Sequence, residues 1–199
     1  MHYILMTKTK DAYYIAVFDA EYTALTEKNR GLQEVIQFAI IVMAYNRKTK
    51  TLQEVYQVQQ FVQPSKHKKL SKHIKRLTKI KQEDIDHGIE FDKFLYDLQS
   101  IVDQFKIKRI YTWGPDAILL QKNLIWAHPE LLSTATKNLM KMFTDVSLTI
   151  SRLLHSTNKI LPQKEACARF GVEEQGDHHD AYSDAYNLSQ LLISLASKS

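Results

Sequence analysis

Asp19 and Glu21, in Phe18-Asp19-Ala20-Glu21, lie at the end of the apolar run Tyr14-Ile15-Ala16-Val17. A run so rich in branched and aromatic residues reads as a strand buried on both faces. Residues two apart on a strand face the same side, so the two carboxylates project together from its C-terminal end. They repel each other, and desolvating them is unfavourable unless something positive is bound. A hard divalent cation, which prefers oxygen ligands, is the economical partner. A solvated strand end with two acids facing water is the alternative that this spacing leaves open.

Two more acids and a histidine belong to the same question. Asp116 follows Tyr111-Thr112-Trp113-Gly114-Pro115, just beyond a strand and inside a helix's first turn. A carboxylate there also simply complements the helix dipole. Asp184 lies one turn into the last helix, in His178-His179-Asp180-Ala181-Tyr182-Ser183-Asp184-Ala185. It falls near the apolar face, where a buried acid needs a partner. His179 precedes Asp184 by five residues, about 140° around a helix, so the two cannot share one helical face. His179 therefore belongs to the loop leading in, with Asp180 or a neighbour as N-cap. From that loop the imidazole can swing over a site whose floor holds Asp184.

The elements that must position these groups follow from the apolar patterning. Strands are expected over Tyr13–Ala20, Glu34–Arg47 and Gln53–Val62, the last two joined by the short polar Asn46–Lys50 connection and the third ended by Pro64. Phe91, Phe94, Leu95, Leu98, Ile101, Val102 and Phe105 recur at threes and fours, the stripe of an amphipathic helix. Ile107–Trp113 reads as a short strand, and Gly114-Pro115 opens a helix with proline in its first turn. Pro129 interrupts the next helical stretch, Met142–Val146 reads as a strand, and Ser147–His155 as a helix. A helix begins at Pro162 and ends at Gly171, a good C-cap. The last helix runs from about Asp180 to Ala196, with Ala181, Ala185, Leu188, Leu191, Leu192 and Leu195 inward. Three strands followed by alternating helices and strands predict an α/β architecture with a mixed central sheet flanked by helices.

Together these segments resemble the DEDDh branch of the DnaQ-like 3′-to-5′ exonucleases, a superfamily of RNase H-like fold. Phe18-Asp19-Ala20-Glu21-Tyr22-Thr23-Ala24-Leu25 is similar to that family's first motif, Phe-Asp-x-Glu-Thr-Thr-Gly-Leu. Glu34-Val-Ile-Gln37 is similar to its Glu-x-Ile-Gln, and Leu77-Thr78-Lys79-Ile80 with Glu83-Asp84 to its Leu-Thr-Gly-Ile segment. Trp113-Gly114-Pro115-Asp116 with Leu119-Leu120 resembles the second motif of the KapD-like and RNA-trimming branch. His179-Asp-Ala-Tyr-Ser-Asp184-Ala185 resembles the third. The resemblance covers roughly residues 12 to 195. Tyr22, Ala24 and Lys79 stand where the family usually has Thr, Gly and Gly. Tyr22 is the residue expected to bear on how the sugar 2′-hydroxyl is treated.

The resemblance implies a metal-dependent 3′-5′ exonuclease releasing nucleoside 5′-monophosphates from single-stranded DNA or RNA ends. Asp19, Glu21, Asp116 and Asp184 would hold two Mg²⁺ or Mn²⁺ about 4 Å apart. Asp19 would bridge both, Glu21 and Asp184 would complete one site, and Asp116 would reach the other through water. His179 would be the general base, with Ala20, Thr23 and Leu25 gripping the terminal nucleotide. A catalytically weak nucleic-acid-binding or regulatory protein on the same fold is the alternative, as is a proofreading or trimming subunit of a larger complex.

Composition is compatible with this reading. The 199 residues are 44% hydrophobic and 25% charged, enough for one domain spanning 1–199 with a sizeable core. The net charge of +5 is unevenly spread. Lys66, Lys68, Lys69, Lys72, Lys75, Arg76, Lys79 and Lys81 account for 8 of the 27 basic side chains. That run reads either as a solvated face or as a track for a phosphate backbone. His67 and His73 lack companions at zinc spacing and read as solvated. The single cysteine, Cys167, excludes an intramolecular disulfide and reads as a buried core thiol. No apolar stretch approaches membrane length and the start lacks a signal-peptide core, so a cytoplasmic protein without a membrane partner is expected.

Overall fold

The computed structural model describes residues 12–24, 32–155 and 159–198. The three long strands are β1 (Ala12–Tyr22), β2 (Val35–Asn46) and β3 (Thr51–Phe61). They pair antiparallel in sequence, and two short strands, β4 (Ile110–Thr112) and β5 (Phe143–Asp145), add parallel beyond β1. The resulting order is β3-β2-β1-β4-β5, the mixed sheet that the patterning predicts. β4 is shorter than the Ile107–Trp113 expected. Residues before it still bond to β1, Lys108 N–H donating to Tyr14 O and Arg109 O accepting from Ala16 N–H, both at 2.9 Å.

The helices are α1 (Lys72–Thr78), α2 (Gln82–Asp86), α3 (Phe91–Phe105), α4 (Asp116–Ala127), α5 (Thr134–Met140), α6 (Ser147–His155), α7 (Gln163–Phe170) and α8 (Ala181–Ser197). A 3₁₀ turn at Pro129–Leu131 marks the interruption expected at Pro129. Pro115 sits at the N-cap of α4 rather than within its first turn, which makes Asp116 the first helical residue. Gly171 caps α7 with φ 74, the left-handed geometry that glycine tolerates best.

Alternation along β1 divides the core and thereby aims the acids. Ala16, Phe18, Ala20 and Tyr22 enter the cluster built with α3 and α4, including Phe94, Leu98, Leu120 and Leu124. Ile15 and Val17 enter the opposite cluster, with Ala181, Ala185, Leu188 and Leu191 of α8. Asp19 and Glu21 continue the Ile15–Val17 series, so they emerge on the α8 face. The alanines at 181 and 185 keep the first turns of α8 slim where it meets the sheet. A third cluster, Ile36 with Leu70, Ile74, Ile80 and Ile85, seats α1 and α2 on the start of β2.

Candidate active site

An open cleft of ≈ 480 Å³ lies at the C-terminal end of β1. Asp19, Ala20 and Glu21 of β1, Asp116 of α4, Asp184 of α8 and both His178 and His179 line it. The five chemical positions read from the sequence thus converge, though they come from β1, α4, α8 and the loop before α8, spread along the chain.

Each is held for an identifiable local reason. A register shift in the β1–β2 pairing falls between Glu21 and Tyr22; such irregularities re-aim side chains at the end of a ladder. Asp180 is the N-cap of α8, as anticipated, its carboxylate accepting from Ser183 N–H at 3.0 Å and Ser183 Oγ at 2.9 Å. His179 lies just outside the helix with φ 61. Its backbone N–H donates to Asp184 Oδ2 at 3.0 Å, which ties the loop to the acid on the helix. A ring nitrogen of His179 and carboxylate oxygens of Glu21 and Asp184 all lie within 4.8 Å of one another, a spacing that a metal ion could bridge.

The electrostatics record how closely the acids crowd. Burial pushes Asp19 well above the usual carboxylate range, and Asp116, Asp184, Glu21 and Asp180 add repulsion in that order. Glu21 is pushed up to about 8 by burial and by Asp184, Asp116 and Asp180. Asp116 rises to about 7 through burial, opposed by a hydrogen bond from Tyr22 and by backbone hydrogen bonds at Asp116 and Ala20. Burial also raises Asp184, against the hydrogen bond from His179 N–H and the histidine charges. A solvated strand end would leave such acids near their ordinary values; these four are arranged to gain from a cation.

Several participants were not legible in advance. Tyr22, a candidate for facing the sugar, is buried, and its hydroxyl lies 3.3 Å from Asp116 Oδ1 and 3.5 Å from Asp116 O, donating towards them. His178 stands 3.9 Å from Asp184 Oδ1 and 3.4 Å from Glu174 Oε2, a second imidazole beside the acids. Gln37 anchors the start of α8: its Nε2 donates to Asp180 Oδ1 at 3.1 Å and its Oε1 accepts from Ala181 N–H at 3.1 Å. Gln163 donates to Asp184 O at 2.7 Å. His178 is local to its partners, but Tyr22, Gln37 and Gln163 are 21 to 144 residues from theirs, with no periodicity to announce the contact.

Of the expected nucleotide contacts, Ala20 lines the cleft. Thr23 is buried, and its hydroxyl accepts from Glu34 N–H at 2.9 Å. Leu25 lies outside the described residues. His67 is half-buried and not simply solvated: its ring stacks on Trp126 with centroids 5.3 Å apart. His73 is exposed, as expected. Cys167 is fully buried, and burial pushes its thiol up to about 12, which suits a core group and not a nucleophile.

A model of the RNase_T exonuclease family matches residues 16–192. The chain is 30% identical over 132 residues to the probable 3′-5′ exonuclease KapD of Bacillus subtilis (strain 168), covering 66% of this chain and 60% of that protein. It is 25% identical over 205 residues to ERI1 exoribonuclease 2 of Homo sapiens, covering 93% of this chain and 29% of that one. The chain therefore spans less than two thirds of the length of these curated relatives. The nuclease domain of 3′hExo, a DEDDh family member bound to rAMP, superimposes with a TM-score of 0.75 at 18% identity, over 96% of this chain and 95% of that one. E. coli exonuclease I in complex with a dT13 oligonucleotide gives 0.63 at 14% identity, over 93% and 41%. Similarity at these identities establishes the fold.

Proposed function

The chain belongs to the RNase_T exonuclease family, and we propose that it is a metal-dependent 3′-5′ exonuclease acting on single-stranded nucleic acid. The observation that carries this reading is the convergence of Asp19, Glu21, Asp116 and Asp184 on one cleft, each pushed upward by burial, and Asp19 and Glu21 also by the other acids. A set of acids that destabilise one another unless neutralised fits a pair of Mg²⁺ or Mn²⁺ ions. Asp19, at the centre of the repulsion, would be shared between the two ions. Glu21 and Asp184 would complete one site, and Asp116 would serve the other. When bound, the ions supply a lowered water pKa and charge stabilisation for in-line phosphoryl transfer.

The protein groups divide the remaining work. His179, with a ring nitrogen near Glu21 and Asp184, takes the proton of the attacking water. Its backbone bond to Asp184 keeps that ring over the acids. Trp113 and Leu119 supply apolar wall to the cleft, suited to a base stripped from its stack. Ala20 meets the terminal nucleotide from the cleft wall, Thr23 supports that wall through its bond with Glu34, and the leaving product is a nucleoside 5′-monophosphate. Support for single strands comes from a fold shared with a nuclease seen holding dT13 and from a cleft open at one strand end.

The test is hydrolysis of labelled single-stranded DNA and RNA in Mg²⁺, Mn²⁺, Ca²⁺ or EDTA. Turnover in Mg²⁺ and Mn²⁺, with EDTA abolishing it, supports the reading. Ca²⁺, larger and looser in geometry, should support binding without fast turnover. Undiminished hydrolysis in EDTA contradicts the two-metal site.

A further inference from the structure

We propose that residues 65–79 form a preorganised cationic platform that receives the phosphate backbone of the substrate strand beyond its terminal nucleotide. This rests on the nuclease reading above and adds to it a contact region outside the acidic cleft.

The charge is concentrated, and the acids near it lie outside the run itself: Glu34 beneath its first residues and Asp84, Asp177 and Asp180 around Lys79 at its end. From Lys66 the chain carries no acid until Glu83. Lys66, Lys68, Lys69, Lys72, Lys75, Arg76 and Lys79 are all exposed. Among the described residues the carboxylates form their ion pairs elsewhere, and the one at this segment joins Glu83 to Lys81, at 3.4 Å. On α1 the cations at 72, 75 and 76 recur at three and four, so they share the outward face, with Lys79 following at the C-cap, while Ile74 and Thr78 are buried opposite. Like charges four apart, as in Lys72 with Arg76, oppose helix formation. A face built this way is relieved by a polyanion.

The backbone beneath these cations is fixed before any ligand arrives. Glu34 is only 1% exposed. Its carboxylate accepts from Ser65 N–H at 2.7 Å, Ser65 Oγ at 2.9 Å, Lys66 N–H at 3.0 Å and His67 N–H at 2.6 Å. Four donors to one buried carboxylate pin the loop. His67 stacks on Trp126 of α4, and Leu70, Ile74 and Ile80 pack on Ile36. Binding therefore orders lysine side chains alone, which reduces its entropic penalty.

The platform also meets the site at both ends. At its start, Glu34 N–H donates to the Thr23 hydroxyl and Thr23 N–H to Glu34 O, two residues beyond Glu21. At its end, Thr78, Lys79 and Ile80 share a second cleft of ≈ 410 Å³ with Gln37 and with the acids Asp84, Asp177 and Asp180, at the N-terminus of the helix that carries Asp184, so the cations before Lys79 are the ones free to take phosphates. A strand with its 3′ end among the acids would leave over these cations. Point charges on flexible stems read phosphates without reading bases, so the contact should be indifferent to sequence.

The experiment compares the parent protein with a Lys68→Glu, Lys69→Glu, Lys72→Glu variant, in Ca²⁺ to limit turnover. Fluorescence anisotropy is read for a 5′-labelled single strand of about 12 nucleotides, within the span of a single-strand groove, and for a trinucleotide. The expected result is at least a tenfold loss of affinity for the long strand. Its log affinity should depend less steeply on log salt, by roughly 2 for three lost phosphate contacts. Trinucleotide affinity should stay within twofold. Equal affinity and salt slope in parent and variant would overturn the platform, as would an equal loss for both lengths. Loss of binding to anionic vesicles or heparin with strand affinity retained would overturn it too, assigning the cations to another polyanion. A parent protein that binds and degrades no nucleic acid would instead sink the nuclease reading, which separates the two failures.

Discussion

Replacing Tyr22 by Phe isolates one atom of the acidic cleft. The ring is 7% exposed and packs in the core cluster that α3 and α4 complete, so Phe preserves the packing. What is lost is a hydroxyl 3.3 Å from Asp116 Oδ1. That length lies at the long end for a hydrogen bond, so its net worth is set at about 1 kcal/mol, the middle of the usual range. Tyr22 also holds Asp116 down against burial. Without it the carboxylate rises above about 7 and accepts a cation less readily at neutral pH. One kcal/mol corresponds to a factor of about 5 in a binding constant. Titration of Mn²⁺ by calorimetry should therefore show the Asp116-dependent site weakened about fivefold in the Tyr22→Phe protein. Turnover should be recovered at higher Mn²⁺, because the liganding acid is still present. Asp116→Asn serves as the reference, since it removes the charge outright. An isotherm unchanged by Tyr22→Phe but weakened by Asp116→Asn would refute the positioning role and leave Tyr22 as core packing.

Asp19→Asn and Asp184→Asn keep shape and remove charge; each should lower kcat at least about a hundredfold, while the metal-free protein melts higher because repulsion is relieved. His179→Ala should reduce turnover on the order of 10²–10⁴-fold with strand affinity nearly unchanged. His178→Ala, which removes a neighbour of Asp184 and not the proposed base, should cost much less, and a larger loss there would transfer the role to His178. The metal-free protein should lose stability as pH rises. Glu21 binds its proton more tightly folded, at about 8, than unfolded, so the native state holds more protons between the ordinary carboxylate range and about 8, and stability falls across that window. Thermal melts in EDTA should show the decline and Ca²⁺ should flatten it; a melt indifferent to both would mean that the acids are not coupled in solution.

Local physics made the frame of the site readable from the chain. Two-residue alternation placed Asp19 and Glu21 on one face of β1, and the five-residue separation put His179 outside α8, with Asp180 as its cap. The apolar stripe of α3 and the Gly171 cap followed from the same kind of rule. What could not be read depends on pairing between distant segments. The length of β4 matches that of β5, which pairs with it residue for residue from Ile110–Phe143 to Thr112–Asp145, and is not set by its own composition. Glu34 looks like an ordinary strand-leading acid until residues 65–67 fold over it. Tyr22 looks like a surface substitution near a nucleotide until Asp116, 94 residues on, closes against it. His67 was expected in solvent for want of metal-spaced companions, and its companion is an indole on α4.

The central claim is that the four converging acids direct hydrolysis at a 3′ terminus. Its most direct test follows a 5′-labelled single strand with the purified protein in Mg²⁺, beside Asp184→Asn as control, and identifies the released small product. The expected result is a ladder shortening one nucleotide at a time from the 3′ end, nucleoside 5′-monophosphate as product, and no ladder with Asp184→Asn. A labelled 5′ mononucleotide appearing at once, internal cuts, or an equal ladder from Asp184→Asn would contradict it.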